Sequence, residues 1–162
     1  MRMMKRDDVL RLVASIIFCQ LAGFIGSLFT APSIPTWYET LQKPYFTPPN
    51  WIFGPVWISL YILMGISLFI IWQRWQDNSK AKTAMSFFFI QLTLNILWSI
   101  SFFGFKSTLA GFIDIVLLWI AILLTIWYFF KVSKIAGLLL FPYVLWVSFA
   151  AFLNFSLWIQ NR

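Results

Sequence analysis

Five stretches of this sequence are long enough to cross a lipid bilayer as helices and carry almost no charge. They cover residues 12–29, 43–74, 83–105, 107–130 and 135–161; the second is bounded by Lys43 and Arg74, and the fourth is interrupted only by Asp114. A helical crossing of the hydrocarbon core takes about 20 apolar residues, because backbone deprived of water must close its hydrogen bonds within the segment. Charged residues make up 10% of the 162 and apolar ones 61%. A soluble domain carries about 25% charged residues, so this chain has too little polar surface to coat a globule in water. The fold class that follows is an all-α integral membrane protein. It forms one five-helix domain over residues 1–162, with helices near 9–30, 48–74, 83–104, 108–131 and 134–160.

The first apolar run follows a basic tail, as in a secretory signal, but it exceeds the usual apolar core of about 7–15 residues and lacks a clean small-residue cleavage site. It reads as a retained helix. The second helix is expected to begin at Thr47 and Pro48, with Thr as cap and Pro in the first turn. Pro55 is expected to kink or loosen its helix locally, and Pro142 lies inside the fifth run. Most connectors are short and force antiparallel neighbours. Residues 30–46 are the exception, and Pro32, Pro35 and Pro44 there favour an extended, lid-like path.

The net charge of +7 does not mark a nucleic-acid surface, because the cations stand singly in connectors rather than in a basic stripe. Their placement follows the positive-inside rule. With the N-terminus inside, Arg2, Lys5, Arg6, Arg11, Arg74, Lys80, Lys82, Lys131 and Lys134 lie inside, and Lys43, Lys106 and Arg162 lie outside. The expected orientation is therefore N-in, C-out, with the lid outside. His is absent and Cys19 is the only cysteine. That removes His-based catalytic triads, Cys/His zinc sites and intrachain disulfides.

Helical rotation of about 100° per residue groups Gln91, Asn95, Trp98 and Phe102 in one stripe. Amides at membrane depth turn toward a neighbour helix or a cavity, so the stripe is either an interhelical bonding seam or a pocket wall. Asp114 shares a face with Leu118, Ala121, Thr125 and Tyr128. It is either an intramembrane functional carboxylate or a structural group near the helix start, paired with Lys106 or the helix dipole. Trp146, Ala150, Leu153 and Leu157 form a stripe in the fifth helix. Trp72, Trp75 and Trp158 suit the headgroup belt; Trp57, Trp98 and Trp146 lie too deep for it and suit a flat aromatic ligand. Ala22, Gly23, Gly26 and Ser27 give the first helix a close-packing face, for a second copy or for neighbours in the same chain.

The segment W-Y-E-T-L-Q-K-P-Y-F-T-P-P-N-W-I-F-G-P-V-W-I-S-L-Y, residues 37–61, closely resembles the signature of the tryptophan-rich sensory protein/translocator protein family. That family includes the mitochondrial peripheral benzodiazepine receptor. The resemblance continues through Q-L-T-L-N-I-L-W from Gln91, through Asp114, and through F-P-Y-V-L-W-V-S-F-A-A-F-L-N from Phe141. It implies a five-helix bundle, commonly a homodimer, whose pocket is covered by the first loop and binds porphyrins such as protoporphyrin IX. The pocket residues it implies are Trp37, Tyr38, Pro48, Trp51, Trp57, Tyr61, Asn95, Trp98, Trp146 and Ala150. In some bacterial members illuminated protoporphyrin IX is degraded, and the two tryptophans implicated align with Trp57 and Trp146. The mitochondrial sterol motif is not kept, since Phe155 and Ser156 follow Asn154 where that motif has Tyr. A pattern of similar form at Leu124, Tyr128 and Lys131 is a weak signal.

The expected function is thus a membrane receptor or sensor for porphyrins or similar hydrophobic molecules, in contact with lipid, in a bacterial plasma membrane with a cytoplasmic N-terminus. No cofactor is required; the porphyrin is a ligand, with its propionates expected near Lys43. Passive translocation of tetrapyrroles or sterol-like lipids, and a ligand-responsive stress interaction partner, are the alternative classes.

Overall fold

The computed structural model describes residues 6–76 and 78–162; Arg2 and Lys5, counted above for orientation, lie outside the described residues. Six helices make five spans: α1 (Arg6–Ser33), α2 (Asn50–Trp72), α3 (Ser79–Ser99), α4 (Thr108–Phe130), α5 (Lys134–Leu139) and α6 (Phe141–Gln160). The last two form one crossing, Lys134–Gln160. The shortest spans have 23 residues, which at about 1.5 Å per residue exceeds the ~30 Å hydrocarbon core.

Local chemistry sets the helix starts. The side chains of Asn78, Ser107 and Ser133 each accept a backbone N–H from the first turn of α3, α4 and α5, at 2.9, 3.2 and 3.5 Å, occupying donors the helix leaves free. The expected start of α2 at Thr47–Pro48 is corrected to Asn50. A residue preceding proline is pushed out of the α region, and both Thr47 and Pro48 precede one. Pro49 is extended (φ −56°, ψ 143°), and Thr47 Oγ1 turns back to donate to the Pro44 carbonyl at 2.8 Å. From Asn50 the helix then runs unbroken through Pro55.

The first connector is also shorter than expected. Helix persists through Pro32 to Ser33 and continues as a π-helical turn over Ile34–Tyr38, leaving residues 41–49 as the irregular stretch between α1 and α2. Inside a bilayer a helix tolerates proline when side chains and local widening re-satisfy the freed carbonyls. Within the widened turn Thr36 Oγ1 also donates to the Pro32 carbonyl at 2.9 Å. Pro142 acts in the opposite sense. It is the second residue of α6, and the span breaks at Leu140 just before it.

The spans close into a ring. α1 packs between α2 and α3, α4 between α3 and the α5–α6 crossing, and α5 returns to α2. Apolar side chains such as Phe24, Trp127 and Leu145 face outward, while Ser67, Gln91, Asn95, Asp114, Thr125 and Asn154 are buried. This inside-out polarity is the expected response to an apolar solvent, in which amides and hydroxyls act as contacts between helices. Ser67 Oγ, for example, donates to the Ala136 carbonyl at 2.7 Å and joins α2 to α5.

The small face of α1 is used within the chain. A Cβ on Gly23 would lie 2.4 Å from the Tyr61 ring, and one on Gly26 would lie 2.8 Å from Ser99 Oγ. Of the two partners considered for this face, these glycines serve α2 and α3.

Candidate functional site

At the end of the bundle where residues 41–49 cross, α1, α2, α3 and α6 separate around a cavity of about 680 Å³. Sites for small molecules commonly measure about 300–1,000 Å³. Tyr38, Trp51, Trp57, Tyr61, Asn95, Trp98, Trp146 and Ala150 line it, as does the α6 stripe onward through Leu153 and Leu157. Trp37 and Pro48 do not. Trp37 is half-buried behind the wall, its ring edge-on to Phe102 at 5.3 Å. Pro48 belongs to the turn that delays α2, so its backbone role keeps it in the crossing segment. Lys43 is also outside the wall. Its ammonium lies over the Tyr38 ring at 4.8 Å and donates to the Glu39 and Leu41 carbonyls.

Four rings of the wall form a continuous run. Trp57 stacks on Tyr61 at 5.6 Å and on Trp98 at 6.3 Å, and Trp98 stacks on Phe102 at 5.8 Å. Trp146 meets the edge of Phe53 at 6.0 Å. Such offset aromatic contacts pre-form the wall before any ligand arrives. The N–H of Trp98 is committed, donating to Asn154 Oδ1 at 3.2 Å. That of Trp146 is buried and has no partner.

Beneath the rings lies a buried polar chain. Tyr61 Oη donates to Asn95 Oδ1, Asn95 Nδ2 donates to Tyr143 Oη at 3.0 Å, and Tyr143 Oη donates to Gln91 Oε1 at 3.0 Å. Both readings of the α3 stripe therefore hold at different depths: Gln91 and Asn95 bind neighbouring helices, and Asn95, Trp98 and Phe102 face the cavity. Tyr143 went unrecognised in the sequence, because a tyrosine in an apolar run carries no mark of its hydroxyl's partner.

A π-helical turn, Ile100–Gly104, closes α3 and aims Phe102 and Phe103 at the cavity. Asp114 of α4 supports it, accepting a hydrogen bond from Ser101 Oγ at 2.9 Å. Its bonded partner is thus a hydroxyl on the widened turn rather than Lys106. Gly111, one turn earlier, lets Phe102 approach: a Cβ there would lie 2.4 Å from the ring.

Sequence reasoning also missed α1 as a wall. Gly23, Gly26, Ser27 and Thr30 contribute to it, and the 22/23/26/27 small-residue spacing was its only trace. Among the described residues the wall holds rings, amides and hydroxyls but no carboxylate, ammonium or thiol; Cys19 is buried elsewhere in α1. The arrangement suits binding by shape, stacking and a few hydrogen bonds.

A ring of five spans around a pre-formed aromatic cavity defines a multi-pass membrane protein of the receptor or sensor class. The particular family is shown by comparison. The TspO/MBR family pattern matches residues 15–159, and the chain belongs to that family. It is similar to a tryptophan-rich protein TspO of Archaeoglobus fulgidus, 51% identical over 95% of this chain and 99% of the relative. It is also similar to the human translocator protein, 35% identical over 88% of this chain and 85% of the relative. A tryptophan-rich sensory protein of Cereibacter sphaeroides is 35% identical over 74% of this chain and 73% of the relative.

Proposed function

We propose that this protein binds metal-free porphyrins, with protoporphyrin IX as the representative ligand, and that its cavity promotes their loss under light. The observation that carries the reading is the convergence of Trp57, Trp98 and Trp146 on one cavity at membrane depth. A planar macrocycle needs aromatic faces, and these three indoles supply them. Metal-free porphyrin suits the wall better than haem, since neither imidazole nor thiolate faces the cavity. The protein supplies position and exclusion of water, and under light an indole acts as one-electron donor to the excited macrocycle. We further propose that the N-terminus is cytoplasmic, on the strength of the cation distribution, and that the chain pairs as a homodimer, on the strength of its family.

The test is Trp57→Phe and Trp146→Phe, each measured for protoporphyrin IX binding in the dark and for porphyrin loss under light. Phenylalanine keeps a face but removes the N–H and resists oxidation. Binding should weaken by about 1 kcal/mol per residue, the scale of an aromatic contact, and light-driven loss should fall far more. Trp158→Phe is the control, because Trp158 lies outside the wall and stacks on Phe112. Loss at the wild-type rate in both cavity variants would leave a binder or sensor whose photochemistry belongs to the ligand alone.

A further inference from the structure

The cavity is closed between most of its helices and split between two. α1 and α2 are antiparallel and touch closely at one end, where a Cβ on Gly65 would lie 2.6 Å from Ile16 Cα. Further along, Gly23 sits against the Tyr61 ring and Gln20 Nε2 donates to the Ile58 carbonyl at 3.0 Å. Beyond that staple the helices part. A Cβ on Gly54 would find no atom within 4 Å.

The residues along the split have two exposures at once. Phe24, Ser27 and Ala31 of α1, and Trp51, Gly54 and Ile58 of α2, line the cavity and are also exposed on the outside of the bundle. A residue that bounds an interior space and the outer surface together stands on the rim of an opening. Each set is spaced i, i+3, i+7, one stripe along its helix. From Phe24 to Ala31 the rim rises about 10 Å along the helix. It lies within the spans Arg6–Tyr38 and Asn50–Trp72, so the opening is on the side of the bundle, and its rim bears no charge.

The end of the cavity, by contrast, is tied down. Gln42 N donates to Asn161 Oδ1 at 2.8 Å, and Asn161 Nδ2 donates back to the Gln42 carbonyl at 2.9 Å. Phe46 of the same crossing segment stacks on Phe152 at 5.2 Å. The segment is thereby fastened to α6.

We infer that lipophilic ligands enter the cavity sideways from the bilayer, through the cleft between the outer halves of α1 and α2, which Gly54 keeps open. The inference rests on the cavity being the ligand site. A ligand taking this route is one already dissolved among acyl chains, and it crosses no charged mouth.

The test follows protoporphyrin IX binding by stopped-flow tryptophan quenching in phosphatidylcholine nanodiscs. Gly54→Leu grows from a Cβ that stands in open space, and Ser27→Leu on the facing rim is the second variant. Under sideways entry kon falls by about tenfold or more and koff falls with it, since one passage serves both directions. Asn161→Ala, which releases the crossing segment, leaves kon as in the wild type. Unchanged rates in both rim variants would overturn the inference, whether the ligand passes the crossing segment or a second copy covers the cleft. A change in koff alone would make Gly54 a wall residue only, and faster association in Asn161→Ala would assign entry to the end. Absence of binding by the wild type would instead refute the site itself.

Discussion

Replacing Asn95 by leucine should cost more than its size suggests, because this one amide joins three helices. It accepts from Tyr61 of α2 and donates to Tyr143 of α6, and Asn95, Tyr61 and Tyr143 are 2%, 6% and 0% exposed. Leucine keeps the branching of the amide but is bulkier, so an overpacking cost adds to the polar loss. An interhelical side-chain hydrogen bond in a bilayer averages about 0.6 kcal/mol and reaches about 1.7. Two such bonds place Asn95→Leu about 1–3 kcal/mol below the wild type. Tyr61→Phe removes only one of the two and keeps the ring stacked on Trp57, so it should cost about 0.6–1.7 kcal/mol. Because the two variants delete a shared bond, the double variant should be less destabilised than the sum of the singles, by about the value of that bond. The assay is reversible unfolding by sodium dodecyl sulfate in mixed micelles, read by helical circular dichroism. Additive losses, or an Asn95→Leu variant as stable as the wild type, would refute the idea that this polar chain holds the helices around the cavity.

The glycines should separate by what surrounds them. Gly65→Ala drives a methyl group into the α1 backbone and should lose about 1–3 kcal/mol, whereas Gly54→Ala meets open space and should gain up to about 1 kcal/mol in helix propensity; equal thermal midpoints in detergent would contradict this. For orientation, in a Cys19→Ala background, Tyr45→Cys, at a fully exposed position of the crossing segment, should react with an impermeant thiol reagent on intact cells. Lys80→Cys, in the first turn of α3, should react only after permeabilisation, and the reverse pattern would overturn N-in, C-out.

The spans were legible in the sequence because transfer into lipid is summed along the chain, and a desolvated backbone has only the helix available to it. The same local character exposed Trp57, Trp98 and Trp146 as too deep for the headgroup belt, whereas the asparagine and serine caps of α3, α4 and α5 came from the structure. Which way each helix faces was harder to read. Lipid is as apolar as the protein core, so an outward Phe24 and a buried Phe88 carry the same hydropathy, and the usual amphipathic signal fades. Only polar or small residues betrayed a face: the Asn95 and Asp114 stripes are buried as expected. The ring order of the spans, the place of α1 in the cavity wall, the exclusion of Trp37 and Pro48 from it, and the union of Asn95 with Tyr143 came from tertiary structure. So did the two π-helical turns. Each depends on contacts between segments far apart in the chain, where the packing of one helix on another, and not the preference of any local stretch, sets the free energy.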